Sequence, residues 1–290
     1  MAGPAGVRRK GRPVRVWIHP CAIVAAAALL ASGSPAHAEE LRASGTGSAL
    51  GTLRRLAAAF EAANPGHRLN VLPSVGSSGT FRAVAGGALD VGVAGRGPGP
   101  GERALELEAR PVARTPLVLA VGPRTRAAGI TAGELVRALR GELRQWPGGG
   151  PLRLVLRPPG DVDTQLLRAV SPEMAAAVDG ALSREGAVVA DTNQECNELL
   201  ARTPGAVGLS SLAQILTEDR PVTALAWNGV APTLANLRSG AYPLAKTLFV
   251  VTRAPPSPTV RSFLSFLAGP AGRAVLEASG NLAVPLAAPE

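Results

Sequence analysis

Hydrophobic positions near the start of the chain alternate between strand-like runs and a helical repeat. In residues 50–63 they recur every three or four positions, as on one face of a helix. Short apolar runs at 41–44 and 68–72 flank this helix, and a second helix at 81–88 leads into a buried strand at 89–94. The order strand, loop, helix, strand, loop, helix, strand predicts a parallel α/β arrangement.

The rest of the chain continues this pattern with shorter elements. Strands are predicted at 117–121, 152–156, 187–190, 206–209, 222–227 and 248–251. Helices are predicted at 131–140, from 165 onward, and at 172–182, 193–201 and 258–279. Thr131 and Glu134 have the spacing of a capping box at the start of the first of these helices.

Two loops rich in glycine and hydroxyl residues lie between predicted strands and helices. They are Gly45-Thr46-Gly47-Ser48 and Gly76-Ser77-Ser78-Gly79-Thr80. Glycine permits tight turns and close approach to a ligand. A helix start offers unpaired N–H groups and a partial positive charge, which favour anions. Because both loops follow strands of one parallel sheet, they fall at its ligand-binding edge. The pattern predicts a receptor that closes on a small oxyanion.

The first 38 residues have the pattern of a secretory signal peptide. Five basic residues precede a short apolar stretch at 21–31, and Ala36-His37-Ala38 supplies a small-x-small cleavage pattern. The stretch is short for a membrane span, so an uncleaved anchor is the less favoured alternative. We expect cleavage after Ala38 and export to the periplasm.

Charge and rare residues restrict the function further. Cleavage removes five basic and no acidic residues, which lowers the formal net charge from +9 to +4, too little for a nucleic-acid footprint. After residue 38 the chain has one cysteine, Cys196, and one histidine, His67, so neither a Cys/His zinc site nor an ordinary catalytic triad is indicated. We expect a binding protein without a cofactor or metal rather than an enzyme.

A series of motifs in fixed order resembles the periplasmic phosphate-binding proteins, the solute receptors of phosphate ABC transporters, within the type II periplasmic binding protein superfamily. The series runs over about residues 41–286. It comprises the two loops, the run Gly-Ala-Leu-Asp-Val-Gly-Val-Ala-Gly-Arg ending at Arg96, the loop at Trp146, Arg157 after a strand, residues 203–208, residues 241–244 and residues 266–272.

The resemblance implies two α/β lobes, each with a central sheet flanked by helices, joined by two crossing segments around a ligand cleft. Residues 39–118 with 244–290 would form lobe one, and residues 119–243 would form lobe two. It also implies a monomer that binds phosphate or a related oxyanion and docks on an inner-membrane ABC permease.

The resemblance also implies ligand-binding residues. In the first loop these are Thr46, Gly47 and Ser48. In the second loop they are Ser77 and Ser78, with Gly79 and Thr80 at the helix start. Arg157 corresponds to the arginine that neutralises the anion, and otherwise its guanidinium pairs with a neighbouring aspartate. Arg96 is a further candidate, with a solvated loop arginine as its alternative.

Two departures from the phosphate pattern leave the ligand open. Gly95 stands where phosphate-specific members carry an acidic residue that accepts the ligand's proton. Asp161 and Asp163 stand in place of a third donor loop, where their charges would repel an anion. Either both aspartates cap the following helix, which we favour, or the ligand is not plain phosphate. These departures motivate an alternative function: a periplasmic sensor or adaptor of the same fold that binds another ligand and acts on a signalling receptor.

Overall fold

The computed structural model describes residues 39–286, together with residues 1–3, 6 and 11. Apart from those five positions, the predicted signal peptide lies outside the described residues. The chain divides into two units, Met1–His37 and Ala38–Glu290, and the strands and helices of the described residues belong to the second. Within the described part, none of the helices has the length and apolar character needed to cross a membrane.

Strands and helices are interspersed along the described part of the chain. The strands are β1 (Glu39–Gly45), β2 (His67–Val71), β3 (Val91–Ala94), β4 (Leu107–Val121), β5 (Gly129–Ile130), β6 (Arg153–Val155), β7 (Ala206–Ser211), β8 (Thr223–Ala224), β9 (Ala226–Trp227), β10 (Ala245–Arg253) and β11 (Leu282–Ala283). The helices are α1 (Leu50–Ala63), α2 (Gly76–Ala85), α3 (Ala132–Arg140), α4 (Val162–Arg168), α5 (Pro172–Leu182), α6 (Asn193–Arg202), α7 (Leu212–Thr217), α8 (Leu234–Ser239), α9 (Pro258–Ala268) and α10 (Pro270–Ala278).

The sheet follows the order β2-β1-β3-β10-β4-β7-β6, with β11 and β8 also paired to β4. Strand β1 pairs in parallel with β2 and β3, as the sequence pattern predicts. Strand β10 runs antiparallel to both β3 and β4, so the sheet as a whole is mixed. Strand β4 pairs with β10 along its first part and with β7 along residues 117–121, so it continues from one half of the sheet into the other.

Two main apolar cores lie along this sheet. The first core is built by β1, α1, β10 and α9, and includes Leu53, Phe60 and Phe263. The second core surrounds β4 residues 117–121, β7, α3 and α5, and includes Leu135 and Met174. With few aromatic residues, both cores consist mainly of alanine, valine and leucine, as the composition indicates.

Local sequence signals place several elements correctly. Helix α1 has the predicted bounds, and the Thr131 side chain and Glu134 form a complete capping box at α3. The predicted helix at 258–279 is instead two helices, interrupted at Gly269 before Pro270, because proline lacks the N–H that a continuous helix needs. The predicted strand at 187–190 is only an isolated bridge from Leu156 to Val189.

Candidate functional site

The first loop becomes a short 3-10 helix, Gly47–Ala49, between β1 and α1. The Thr46 N–H donates to Val93 O at 2.8 Å, which ties the start of the loop to β3. The side chains of Thr46 and Ser48, which carry the hydroxyl groups of this loop, are buried. Gln194 Nε2, at the start of α6, donates to Gly47 O at 2.9 Å. The loop is therefore held between an element of the first core and an element of the second.

The second loop forms the first turn of α2, so this helix begins at Gly76 rather than at the predicted Phe81. Its first N–H groups have no carbonyl of the preceding turn to bind. Ser77 Oγ accepts from the Gly95 N–H at 2.9 Å and retains its own proton for donation. The Thr80 hydroxyl donates to Gly76 O at 2.7 Å, which satisfies it within the helix. A Cβ on Gly79 would lie 3.0 Å from Val75 Cβ.

A buried ion pair lies between these loops and α4. The Lys246 ammonium, on β10, contacts Asp163 Oδ1, on α4, and both side chains are almost fully buried, at 1% and 0% exposure. Lys246 Nζ also donates to Ser48 Oγ at 2.9 Å. The other carboxylate oxygen, Asp163 Oδ2, accepts from Asn193 Nδ2 at 2.8 Å. One cation, one anion and two neutral polar groups thus form a closed cluster.

Gly95 marks the point where this cluster meets the second loop. A Cβ on Gly95 would lie 3.1 Å from Lys246 Cε, 3.4 Å from Ser77 Oγ and 3.5 Å from Val162 Cγ1. The lysine stem occupies the space that a side chain at 95 would need. The structure thereby gives a steric reason for the glycine at the position where the resemblance leads one to expect an acidic residue.

Arg157 is engaged within the protein. Its Nη2 donates to Asp161 Oδ2 at 2.8 Å and its Nη1 donates to the carbonyl oxygen of Ala190 at 2.5 Å. Its Nε is buried and has no hydrogen-bond partner among the described residues. The Arg157 guanidinium therefore pairs with a neighbouring aspartate, Asp161, which is the alternative to binding an anion.

The prediction that both aspartates cap α4 is half right. Asp161 is the N-cap, and its Oδ1 accepts from the Asp163 N–H at 2.9 Å. Asp163 itself does not cap, because its carboxylate points instead to Lys246 and Asn193. The reason is the buried ammonium, which attracts a full negative charge more strongly than a helix end does.

Arg96 links the second loop to the segment after β3. Its Nη2 donates to Ser78 Oγ and to Glu102 Oε1, both at 2.8 Å, and its Nη1 contacts Glu102 Oε2 at 2.5 Å. Its guanidinium carbon lies 5.4 Å from the centre of the Phe81 ring. It is therefore a paired and stacked arginine, not a freely solvated one.

The hydrogen bond from Arg96 holds the pKa of Glu102 below its ordinary value of 4.5. Ionised Glu102 therefore stabilises the fold above about pH 4.5, and this contribution is lost as the pH falls below that value. The Arg96 side chain is 34% exposed, so solvent screening limits the effect. We expect Glu102→Gln to lower the free energy of unfolding by about 0.5–1 kcal/mol at pH 7 and by less at pH 3.

Urea unfolding of the wild type and the variant at both pH values checks this expectation. Glu142→Gln, which changes the charge of an exposed glutamate in the same way, is the matched control. A Glu102→Gln deficit that stays the same at pH 3 would contradict the assignment to the ionised carboxylate.

Cys196 and Trp146, two residues of types that are rare in this chain, are buried and hydrogen-bonded to backbone carbonyls. Burial raises the pKa of the Cys196 thiol to about 12, and its Sγ donates to Leu209 O, so it is not a ready nucleophile. Trp146 is buried and its Nε1 donates to Gly205 O at 3.1 Å. Among residues 39–286, no group of three His, Cys, Asp or Glu side chains is placed to hold a metal ion.

Sequence reasoning misses Lys246 and Asn193. A signal for Lys246 exists, because it is the single lysine after residue 38 and lies in the otherwise uncharged run Ala245-Lys246-Thr247-Leu248. Asn193 carries no such signal, since asparagine near a helix start is common. Only the packing of α6 against the first loop brings it to Asp163.

Comparison with known proteins identifies the family. The model of the PBP (periplasmic binding protein) superfamily domain matches residues 30–271. The phosphate-binding protein PstS of Bacillus subtilis (strain 168) is 31% identical over 160 residues, which cover 54% of this chain and 50% of that protein. The alignment thus spans about half the length of this curated relative.

Two solved structures share the fold. A Clostridium perfringens protein, described as a phosphate ABC transporter substrate-binding protein and solved with bound phosphate, superposes with a TM-score of 0.72 at 18% identity, covering 85% of this chain and 100% of that one. An ABC-type phosphate transport receptor from Vibrio cholerae gives a TM-score of 0.59 at 18% identity, covering 83% and 99%. Because the superfamily model matches most of the sequence and the α/β architecture agrees, this chain belongs to the PBP superfamily.

Proposed function

We propose that this chain is an exported solute-binding protein that captures a small oxyanion and delivers it to an inner-membrane ABC permease. Phosphate is the leading candidate for this oxyanion. The observation that carries the proposal is the convergence of both glycine-serine loops on one buried cation. Lys246 Nζ is 2.9 Å from Ser48 Oγ of the first loop. A Cβ on Gly95 would lie 3.1 Å from Lys246 Cε and 3.4 Å from Ser77 Oγ of the second loop.

The chemistry of this convergence suits an oxyanion. A charge-assisted hydrogen bond from an ammonium is about twice as strong as a neutral one, and hydroxyls and helix-start N–H groups add donors around it. The similarity to the phosphate-binding protein of Bacillus subtilis supports phosphate and supports transport over the sensor alternative. No group in the site is arranged for nucleophilic attack, and we propose binding without catalysis.

The two apolar cores support the lobes expected from the resemblance. We propose that residues 39–118 with 244–290 and residues 119–243 move as two bodies about β4 and β10. The first core takes its residues from 41–113 and 248–276, and the second takes its residues from 117–244. Tyr242 Oη donates to Leu117 O at 2.8 Å near the proposed boundary, in keeping with a hinge position. Binding would then close the cleft by hinge motion.

Within this site we propose Thr46, Gly47, Ser48, Ser77, Ser78 and Gly79 as ligand contacts, through hydroxyls and backbone N–H groups. Thr80 supports the helix start through its bond to Gly76. Arg96 and Arg157 would contact the anion only after leaving Glu102 and Asp161. In the present arrangement Arg96 holds the second loop through Ser78, and Arg157 holds the start of α4 through Asp161.

Isothermal titration of the purified protein with phosphate, sulfate, molybdate and methylphosphonate tests the function. We expect saturable binding of phosphate at one site per chain. Ser77→Ala should weaken it about tenfold or more, because a hydrogen bond to a charged group is lost. Ser183→Ala, at the exposed end of α5, is the matched control and should leave the affinity unchanged. No heat and no thermal shift with any of the four anions would refute the oxyanion function.

A further inference from the structure

The Lys246–Asp163 pair connects elements of the two cores at the proposed site. Lys246 lies on β10, whose Leu248 and Val250 belong to the first core. Asp163 lies on α4, whose Leu167 belongs to the second core. A contact of this kind holds the two parts together while it exists.

The Asp163 carboxylate is bound as an oxyanion ligand would be bound. One of its oxygens contacts the Lys246 ammonium, and the other accepts a hydrogen bond from Asn193 Nδ2 at 2.8 Å. The same ammonium donates to Ser48 in the first loop. Lys246 Cε and Ser77 Oγ of the second loop lie 3.1 Å and 3.4 Å from where a Cβ on Gly95 would stand. The negative charge that Lys246 and Asn193 bind belongs to the protein itself.

We propose that Asp163 is an internal anion that occupies the ligand position, holds the ligand-free site closed, and must be displaced before a solute oxyanion binds. This inference rests on the proposed oxyanion function. It makes Asp163 a specificity-determining residue, because the incoming ligand has to compete with a carboxylate for Lys246.

A purely structural role explains the pair less well. Helix α4 already has its N-cap in Asp161, so Asp163 is not needed to start the helix. Two charges buried together carry a large desolvation cost, and apolar residues of similar volume often stabilise a fold as well or better. A charge pair is useful where its anionic half is exchanged for another anion.

The competition also restricts the ligand class. A monovalent carboxylate or nitrate offers Lys246 no more charge than Asp163 already does. A dianion such as hydrogen phosphate offers twice the charge and more acceptor oxygens. We therefore expect dianions to bind measurably and acetate or formate not to bind to the wild type.

The test compares phosphate binding and solution dimensions of the wild type and Asp163→Asn. If the internal pair is formed in nine of ten ligand-free molecules or more, its removal should tighten phosphate binding about tenfold or more. Small-angle X-ray scattering should give a larger radius of gyration for the ligand-free variant than for the ligand-free wild type. Asp179→Asn, which changes the charge of a half-exposed aspartate in the same way, should leave the affinity and the radius unchanged.

Weaker or unchanged phosphate binding in Asp163→Asn would overturn the proposal, since Asp163 would then be a ligand contact or a bystander. A second measurement, made on the wild type alone, does not depend on whether the variant folds. Saturating phosphate should leave its radius of gyration almost unchanged, because the site is closed beforehand, and a clear contraction would overturn the proposal. If neither protein binds phosphate, the oxyanion function fails, and the radii of the two ligand-free proteins still decide whether the pair holds the site closed.

Discussion

Lys246→Met is expected to lower the free energy of unfolding by about 3–5 kcal/mol, because it leaves the carboxylate of Asp163 buried without its cation. The Asp163 side chain is fully buried, so water cannot replace the lost ammonium unless the packing opens. Asn193 still donates one hydrogen bond, which does not compensate a full charge. Urea unfolding at neutral pH measures the loss.

The double variant Lys246→Met/Asp163→Leu provides the control. It removes both charges and fills a similar volume, so we expect it to recover most of the stability lost in Lys246→Met. Such recovery would also show that the loss comes from the unpaired charge and not from the missing lysine stem. A single variant as stable as the wild type would contradict the buried pair.

Gly45→Ala is expected to destabilise the protein by roughly 3 kcal/mol or more, which is at or above the upper end of the usual range for substitutions that overpack a core. Gly45 pairs with Val93 in the β1–β3 ladder, and a Cβ at this position would lie 2.1 Å from Val93 O. The obstacle is backbone, which cannot rotate away as a side chain could. The same carbonyl accepts the Thr46 N–H, so relief of the clash would also displace the first loop.

Gly180→Ala is the matched control for this prediction. Gly180 lies in α5, and a Cβ there would have no atom within 4 Å. We expect a gain of about 0.5–1 kcal/mol from the better helix propensity of alanine. Thermal unfolding of the two variants separates the steric effect from the general cost of replacing glycine. Gly45→Ala with wild-type stability and wild-type phosphate binding would show that β1 and β3 tolerate separation.

Local sequence signals were sufficient for much of the fold. The helical repeat over Leu50–Ala63 gave α1 its bounds, and the Thr131–Glu134 spacing gave the capping box of α3. These features depend on residues within one or two turns of each other, so a single sequence contains them. The start of α2 was misplaced, because glycine and serine are poor helix formers and the Gly76–Thr80 turn becomes helical only in its tertiary setting.

The two loops of the candidate site were also readable, since each couples a strand end to a helix start within a few residues. The sequence alone thus predicted an α/β chain with an export signal and two candidate donor loops, and it marked Asp161 and Asp163 as a departure from the expected pattern. What it could not establish was where the second aspartate points. Lys246 and Ser48 are 198 positions apart, and their contact with Asp163 exists only after β10, α4 and the first loop have packed together. The partner of a buried charge is set by three-dimensional proximity and desolvation, so only the tertiary structure decided that the site holds a cation already paired to the protein's own carboxylate.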